Sequence, residues 1–404
     1  MTATMDTSEQ VELLYSSRAP SMNWWDRIDP VNEVEWRDLV STGWTEMSAY
    51  RNDLVLDKRG YLTHDMSSHW SPISRSDRAL FNGRAILVMA MLHEWNQLST
   101  FQLSTMLGEG RRAVWNTMTE LYSAGMVKRL TPDWWDSTID ESGSGSIWRI
   151  DRSSWVTMKW FADLDNLEWI LATNNVDPEQ STIGSNTPTA LRHNLATIEI
   201  VLKAMEACPG VTGAWGEGHA YASMFYEQNK FELDDVRNNV GDAVLVSRSG
   251  KIIVLEVSGS NRLGQTTAGN KIVEKAAAWT AVCGKSDLDL SVIFIDVSNR
   301  SRLHQFYTNV DYGIQQVSEK YASQERVRRK GGKKVFAVDA RDWFPISRGI
   351  SRDFQTLTCL STVSGEYVNI LGEDDESVDR ASDPVINTLG ALHTPWWIHQ
   401  EIGQ

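Results

Sequence analysis

Apolar residues fill two short runs near the middle of the chain, 242–247 and 252–258, and both runs are rich in β-branched side chains. A polar turn separates the runs, and its Gly250 can take the positive φ that a tight hairpin needs. Apolar positions at helical spacing follow over 271–281, and a further apolar run covers 290–297. This pattern predicts a buried hairpin, then a helix that crosses over to a parallel strand, as in a covered α/β sheet.

The length of the predicted hairpin turn decides which residues face each other. A three-residue loop, 248–250, sets Asp242 opposite Glu256 on one face of the sheet, with their Cβ atoms about 5 Å apart. Two carboxylates so placed can hold a divalent ion, whereas a shift of one residue would put them on opposite faces. Ser258 points to the same face. Acidic residues at strand ends are also common in turns without any chemistry, so the spacing alone leaves both interpretations open.

A second pattern, within residues 76–152, predicts three helices followed by two strands. Apolar residues recur at helical spacing in the first three segments and fill the last two, which are 76–95, 99–107, 111–124, 126–130 and 146–150. Glycines lie between and after the helical segments. Three helices and a hairpin are the elements of a winged helix-turn-helix domain, whose third helix enters the major groove in many DNA complexes.

Charges in this region favour DNA at the third helix and oppose it at the hairpin. The side chains expected near bases and phosphates stand at the start of that helix: Arg111, Arg112, Trp115 and Asn116. Residues 84–131 hold five Lys or Arg against three Glu, whereas 132–151 hold five Asp or Glu against one Arg. Such a domain either binds DNA through its helix alone or serves as a protein-interaction module, and the basic helix start favours DNA.

The rest of the chain divides by composition. We expect a tryptophan-rich N-terminal extension with a hairpin near 57–60, a winged helix domain, a linker helix and loop, an α/β domain, and a C-terminal extension with an acidic linker. Their predicted ranges are 1–75, 76–152, 153–184, 185–345 and 346–404.

Composition limits the classes of function. A chain of 404 residues is long enough for two or three domains, and its formal net charge of −14 opposes nucleic-acid binding except at local basic patches. Its three cysteines show neither metal spacing nor a disulfide framework. We find no signal peptide and no apolar run long enough for a membrane, so we expect a cytoplasmic protein. Of the 18 tryptophans, three pairs stand out, and core or interdomain packing is favoured over an exposed stacking surface.

One dense basic cluster surrounds Gly331 and Gly332. Such a run is usually a solvated loop, yet in an acidic chain it is the best candidate for contacts with a DNA backbone. Its members are Arg326, Arg328, Arg329, Lys330, Lys333 and Lys334.

The acidic hairpin resembles the PD-(D/E)XK nuclease-like fold. Gly241-Asp242 stands in the place of the Pro-Asp, and Glu256-Val257-Ser258 in the place of the Glu-x-Lys. Over about residues 80–310, a winged helix, a helix with His193 and Glu199, and then the acidic strands follow in an order that resembles the replication-relaxation family of actinobacterial plasmids, integrating elements and phages.

The resemblance implies a metal site whose lysine has changed place. The acidic positions that would hold Mg²⁺ are Glu199, Asp242 and Glu256. Ser258 occupies the position of the usual lysine, which puts cleavage in doubt. Some members of the fold carry the lysine on the following helix, where this chain has Lys271 and Lys275, and other members only bind. A solvated helix face is the other interpretation of the two lysines.

These features predict an α/β (α+β) chain in which a winged helix-turn-helix domain precedes a PD-(D/E)XK-like mixed sheet flanked by helices. The predicted function is that of a DNA-binding protein of a mobile element or phage, acting in replication, transfer or maintenance. An active Mg²⁺-dependent DNA endonuclease with a degenerate motif is one alternative, and a non-enzymatic interaction or assembly factor is another. Expected partners are DNA, other proteins of the same element and a second copy of the chain.

Overall fold

The structure, a computed structural model, describes nine stretches of the chain: 44–48, 83–132, 146–151, 188–225, 239–259, 266–298, 303–320, 325–345 and 349–372. These residues fall into two compact units, one within Asp38–Ile198 and one within Glu199–Asp383. The predicted hairpin near 57–60, the linker helix in 153–184, the acidic linker and the three tryptophan pairs lie outside the described residues.

Three helices of the first unit follow the predicted pattern, and they are α1 (Gly83–Trp95), α2 (Thr100–Leu107) and α3 (Arg111–Ser123). Ser99 begins α2 with a capping box, because its hydroxyl accepts the Gln102 amide and the Gln102 side chain accepts the Ser99 amide. Gly108 ends α2 in the left-handed region, with φ at 63°. Local signals at both ends therefore place α2 where the sequence predicts it.

An antiparallel sheet completes the first unit. Its described strands are β1 (Trp44–Ser48), β2 (Gln97–Ser99), β3 (Val127–Pro132) and β4 (Ile147–Ile150), in the order β1-β3-β4-β2. The pairing of β3 with β4, with Val127 opposite Ile150, confirms the predicted pair of strands. The hydrophobic pattern does not predict β1 or β2, because a strand of three to five residues shows too little alternation to be recognised.

Helix α4 (Pro188–Ala207) contains the boundary between the two units, since Glu199 is the first of its residues in the second unit, and that unit contains a mixed sheet. The next elements are β5 (Val211–Gly216), β6 (Ala243–Ser247), β7 (Ile252–Ser258), α5 (Thr266–Lys285) and β8 (Leu290–Asp296). After them come α6 (Leu303–Lys320), α7 (Glu325–Gly332), β9 (Val335–Asp339), α8 (Ala340–Trp343), α9 (Arg352–Gln355), β10 (Thr358–Ser361) and β11 (Glu366–Asn369). Within the described residues the strand order is β11-β10-β9-β8-β7-β6-β5.

The centre of this sheet has the predicted arrangement. Strands β6 and β7 form an antiparallel hairpin, and α5 crosses over to β8, which runs parallel to β7. Both hairpin strands are buried almost throughout, with strands on either side of them. Trp279 of α5 and Phe294 of β8 pack in the same core. The mixed α/β class of the fold is therefore confirmed.

Two parts of the second unit differ from the sequence prediction. The basic cluster at 326–334 lies mostly on the helix α7 rather than in the loop that such a run usually forms, and its glycines allow close packing. A Cβ on Gly331 would lie 1.9 Å from the Thr280 carbonyl oxygen on α5. The sheet also continues past the predicted domain end at residue 345, since β10 pairs with β9 and β11 pairs with β10.

The buried side chains are mainly apolar, and they include all three cysteines. Cys208, Cys283 and Cys359 are free thiols in the interior of the second unit. Trp95, Trp148, Trp279 and Trp343 are also buried, in line with the expected role of tryptophan in packing. No helix within the described residues is long and apolar enough to cross a membrane.

Candidate functional site

The β6–β7 hairpin has the predicted three-residue turn, and it brings Asp242 close to Glu256. Ala243 pairs with Leu255, and the Ser247 amide donates to the Lys251 carbonyl at 2.9 Å across a three-residue turn. Gly250 in that turn has φ at 83°. The regular ladder ends at Ala243 and Leu255, because the Asp242 amide also donates to the Leu255 carbonyl; Asp242 nevertheless lies near enough to Glu256 for its charge to act on that carboxylate.

The residue before Asp242 must be glycine. A Cβ on Gly241 would lie 2.3 Å from Cγ1 of Val254, which belongs to the neighbouring strand β7. The Gly241 amide also donates to the Ala220 carbonyl at 2.9 Å, which ties this point of the chain to the segment after β5. The close approach of two strands therefore explains the Gly-Asp pair that the resemblance singled out.

The Asp242 carboxylate closes the end of the strand ladder. Its Oδ2 accepts the Val257 amide at 2.6 Å, while its own amide donates to the Leu255 carbonyl at 2.8 Å. A side-chain oxygen thus takes the place of a backbone carbonyl at this point. This hydrogen bond orients the carboxylate toward the end of β7, next to Glu256.

Glu256 is buried and has a polar partner at each oxygen. Lys275 Nζ lies 2.5 Å from Oε2, and Trp279 Nε1 donates to Oε1 at 2.6 Å. Both partners come from α5, one turn apart, so they reach the same carboxylate from one helix face. Lys275 also donates to the Val240 carbonyl at 3.2 Å. Of the two helix lysines named from the sequence, Lys275 is thus the one that contacts Glu256.

The charges of this cluster shift its proton equilibria. Burial raises the pKa of Glu256 to about 7, and although Lys275 and Trp279 counteract this effect, the Asp242 carboxylate adds to it. Burial also lowers the pKa of Lys275, but the carboxylates of Glu256, Asp242 and Glu217 outweigh burial, so that its pKa lies above the ordinary value. Lys275 is therefore an ammonium at neutral pH.

The other predicted members of the site lie apart from this pair. Lys271 is exposed on α5, one turn before Lys275. Glu199 is buried on α4 and has interactions of its own. Within the described residues, no three or more His, Cys, Asp or Glu side chains are grouped so that they could hold a metal ion. The structure brings together Asp242, Glu256 and Lys275 from the predicted set.

The magnesium ion stays a prediction from the sequence, and the side chains at Glu256 fit it poorly. Mg²⁺ is usually held by one or two carboxylates together with water and phosphate oxygens. Here each Glu256 oxygen already accepts from a nitrogen donor, and Asp242 Oδ2 accepts a backbone amide. Each Glu256 oxygen keeps a second lone pair, but an ion bound there would lie beside the Lys275 ammonium, whose positive charge opposes its binding.

Sequence reasoning missed several residues around the site. Trp279 carries one visible signal, its position four residues after Lys275. Glu217 follows β5 and acts on Lys275 through its charge. Asp296 and Asp339 end the parallel strands β8 and β9 and are paired in register, with Ser258 beside Asp296 on β7. This polar row requires knowledge of which strands are neighbours, so it leaves no signal in the sequence.

The predicted DNA-contacting residues of the first unit divide into exposed and packed side chains. Arg111, Arg112 and Asn116 are exposed at the start of α3. Trp115 instead packs edge-on against Trp148, with ring centroids 5.5 Å apart. The Trp115 ring also lies 5.3 Å from the Arg129 guanidinium. Of the four residues, Trp115 is therefore half-buried and engaged within its own unit.

Within residues 83–132 and 146–151, three other basic residues are paired with an acid or buried. Arg84 forms an ion pair with Glu109. Lys128 Nζ lies 3.5 Å from Asp151, and Lys128 and Asp151 are both buried. Buried Arg129 donates to Ser146 Oγ at 2.7 Å. Of the five basic residues counted in 84–131, Arg111 and Arg112 are the pair that stays exposed at a helix start.

The basic cluster of α7 is partly tied down and lies far from Glu256. Arg328 and Arg329 bind Glu325, which removes part of the positive charge. Lys330 donates to the Ser286 carbonyl at 3.1 Å. The helix leads into the amino end of β9, whereas Glu256 lies near the carboxyl end of β7. The two predicted sites are thus at opposite ends of the parallel strands.

Comparisons with known proteins add no relative. No protein-family model, no curated protein and no solved structure matches the chain.

Proposed function

We propose that this chain is a DNA-binding protein of a mobile element or phage, acting in replication, transfer or maintenance, and that its second unit is a PD-(D/E)XK-like, nuclease-like domain. The observation that carries the proposal is the contact of Lys275 with Glu256, 2.5 Å long, beside Asp242. Some members of the family's fold carry the lysine on the helix after the acidic hairpin, and α5 presents Lys275 to Glu256. The mixed sheet and the α5 crossover are in keeping with such a domain.

The first unit supports DNA binding through α3. Its three helices and the β3–β4 pair are the elements of a winged helix, and α3 occupies the position of the helix that enters the major groove. Gly110 at its N-cap supplies no side-chain hydrogen bond. The N-terminal amides of a helix and two exposed arginines form a favourable environment for a phosphate. Arg112 and Asn116, one turn apart, can share a groove-facing surface.

The charge distribution sets an upper limit on the electrostatic part of binding. The whole chain has a net charge of −14, and the start of α3 presents two exposed arginines, so we expect this helix to neutralise few phosphates. Each phosphate contact contributes about 0.9 to the slope of log K against log salt on duplex DNA. The proposal therefore implies weak binding with a shallow dependence on salt.

The test compares charge-matched variants in a fluorescence-anisotropy titration with duplex and single-stranded DNA at low salt. We expect Arg111→Ala/Arg112→Ala to lose about tenfold in affinity and to lower the salt slope by about two. The control, Arg248→Ala/Arg352→Ala, removes the same charge from exposed positions outside α3 and α7, and its affinity should stay that of the wild type. Absence of binding by the wild-type protein at micromolar concentration would refute the proposal.

A protein-interaction factor is the second candidate, and the burial of Lys128 and Arg129 favours it. Both wing-strand cations face the interior, so β3 offers DNA little charge. Oligomers that form without DNA, seen by light scattering, together with no change of anisotropy in the DNA titration, would support this candidate. Nicking of supercoiled plasmid with Mg²⁺ that is lost in Glu256→Ala would instead show an active endonuclease.

A further inference from the structure

The surroundings of Glu256 differ from those of an open metal ligand. Its side chain is 4% exposed, its Oε2 lies 2.5 Å from Lys275 Nζ, and its Oε1 accepts the Trp279 indole N–H at 2.6 Å. Indole is a donor only, so Trp279 cannot give way to a cation without leaving its own N–H buried and unpaired. A metal ion bound at Glu256 would also lie beside the Lys275 ammonium, and the repulsion between the two positive charges would oppose its binding.

The Lys275 ammonium contacts oxygen atoms, which are also the ligands of a hard metal cation. Its Nζ contacts the Glu256 carboxylate and, at 3.2 Å, the Val240 carbonyl. Val240 stands two residues before Asp242, so the ammonium joins the start of β6 to the end of β7. Asp242 and Glu217 add negative charge around it and favour its charged form. The ammonium thus occupies the place between two strands where an ion shared by Asp242 and Glu256 would be expected.

We infer that the Lys275 ammonium is the resident cation of the Asp242–Glu256 pair and that this pair binds no divalent ion in the wild-type chain. The inference deepens the proposed function, on which it rests for the meaning of the site. Mg²⁺ gives up its water reluctantly, and taking one partner from a buried ion pair is strongly unfavourable. The tethered ammonium has neither obstacle. Contacts of the second unit with a phosphate are then metal-independent, through a lysine whose side chain is 37% exposed.

The inference is tested by titrating Mn²⁺ into the full-length protein without DNA. Binding is measured by calorimetry and by the electron paramagnetic resonance signal of free Mn²⁺. We expect no saturable site in the wild type at millimolar Mn²⁺. Lys275→Met keeps the length of the side chain, removes its charge and uncovers Glu256, so it should bind Mn²⁺ at least about tenfold more tightly than the wild type. Adding Glu256→Gln to that variant should abolish the gain.

Lys271→Met is the matched control. It removes the same charge from the same helix one turn earlier, at an exposed position, and it should behave as the wild type. If Lys275→Met does not fold by circular dichroism, Lys275→Gln, which keeps a donor for Glu256, is titrated in its place.

Two results would overturn the inference. One is a saturable Mn²⁺ site in the wild type that disappears in Glu256→Gln. The other is a folded Lys275 variant that binds Mn²⁺ no better than Lys271→Met. Because no DNA is present, failure of the DNA-binding proposal leaves this result unchanged. Conversely, a wild-type metal site would leave the DNA titration untouched.

Discussion

At the scale of single residues, the lysine beside Glu256 comes from a helix and not from the strand that carries the acid. Ser258 stands where the resemblance asks for a lysine, and it lies beside Asp296 in the sheet. Lys275 reaches Glu256 from α5 instead. A helix packed across a sheet can thus present a lysine to a carboxylate on a strand.

Asp296 is a buried acid with an incomplete set of partners. Its Oδ1 accepts the Ser298 amide at 2.9 Å, whereas Oδ2 has no hydrogen-bond partner of normal geometry within the described residues. Burial raises the pKa of Asp296 to about 6; Ser298 and Arg341 counteract this effect, and the neighbouring Asp339 adds to it. Ionisation of this carboxyl group therefore works against folding.

The pH dependence of stability follows from this shift. The folded chain holds the proton of Asp296 more tightly than the unfolded chain, whose pKa is near 3.8. Folding is therefore favoured at low pH and loses on the order of 2 to 3 kcal/mol as the pH rises from 4 through 6. Asp296→Asn is neutral at every pH. We expect it to be more stable than the wild type by about 1 to 3 kcal/mol at pH 8 and equal to it near pH 4, as measured by urea unfolding.

Asp289→Asn is the control for this measurement. It removes one negative charge from an exposed position just before β8, and we expect little change in stability at either pH. A loss of stability in Asp296→Asn at pH 8 would show that the ionised carboxylate has a favourable partner and would contradict the argument.

Sequence patterns predicted some of these residues and not others. Asp242, Glu256 and Lys275 could be found because turn length and helix position are properties of nearby sequence. Trp279 could not be assigned to Glu256, since an indole on a buried helix face is usually packing alone. Asp296 and Asp339 meet only because β8 and β9 are neighbours, and strand order is set by the whole sheet.

At the scale of elements, helix α7 illustrates the limit of local signals. Two glycines among charged residues predict a loop, yet they lie in the last turn of a helix that packs on α5. A Cβ on Gly331 would lie 1.9 Å from the Thr280 carbonyl oxygen, and one on Gly284 would lie 2.4 Å from the Val327 carbonyl oxygen. The glycines serve the close approach of two helices, which a single sequence does not reveal.

A substitution at this crossing tests the packing. Gly331→Ala cannot be accommodated without moving α7 from α5, because the obstructing atom belongs to the backbone. We expect a loss of about 2 to 4 kcal/mol in the free energy of unfolding, measured by chemical denaturation.

Gly218→Ala serves as the comparison in the same unit. No atom lies within 4 Å of its added Cβ, so its stability should change by no more than about 0.5 kcal/mol. Equal stability of the two variants would show that the helices do not meet at Gly331.

Longer elements were predicted better than short ones. Helices α1, α2 and α3, the β6–β7 hairpin and the α5 crossover agree with their hydrophobic patterns, because each has enough residues to show a period. The strands β10 and β11 escape prediction, since each is only four residues long. Strand β10 pairs with β9, and β11 pairs with β10, so their positions depend on strand pairing that a local pattern does not indicate.

At the scale of the whole molecule, the reactivity of the three cysteines measures the unfolding of the second unit only. Cys208, Cys283 and Cys359 all lie in the second unit, and all are buried. Burial raises the pKa of Cys283 to about 12 and that of Cys359 well above its ordinary value. A thiol that is both inaccessible and protonated does not react with disulfide reagents.

Thiol labelling should therefore follow the unfolding of the second unit. In native buffer we expect almost no reaction with a chromogenic disulfide, and in denaturant all three thiols should appear with a single midpoint. Ser249→Cys, in the exposed hairpin turn, is the positive control and should react at once without denaturant. Rapid labelling of the native wild-type protein would contradict the burial of the three thiols, and three separate midpoints would contradict their exposure in a single unfolding step.

Helix α7 and Lys275 lie at opposite ends of the parallel strands, so a ligand that contacts both must span the length of the strands. Strand β8 has seven residues, so the two ends are roughly 20 Å apart. A duplex that touches both ends must run along the strands for about six base pairs. A shorter oligonucleotide can contact only one end at a time. If the second unit binds duplex DNA at both ends, its affinity should increase abruptly once the duplex is long enough to reach both, and not gradually with duplex length.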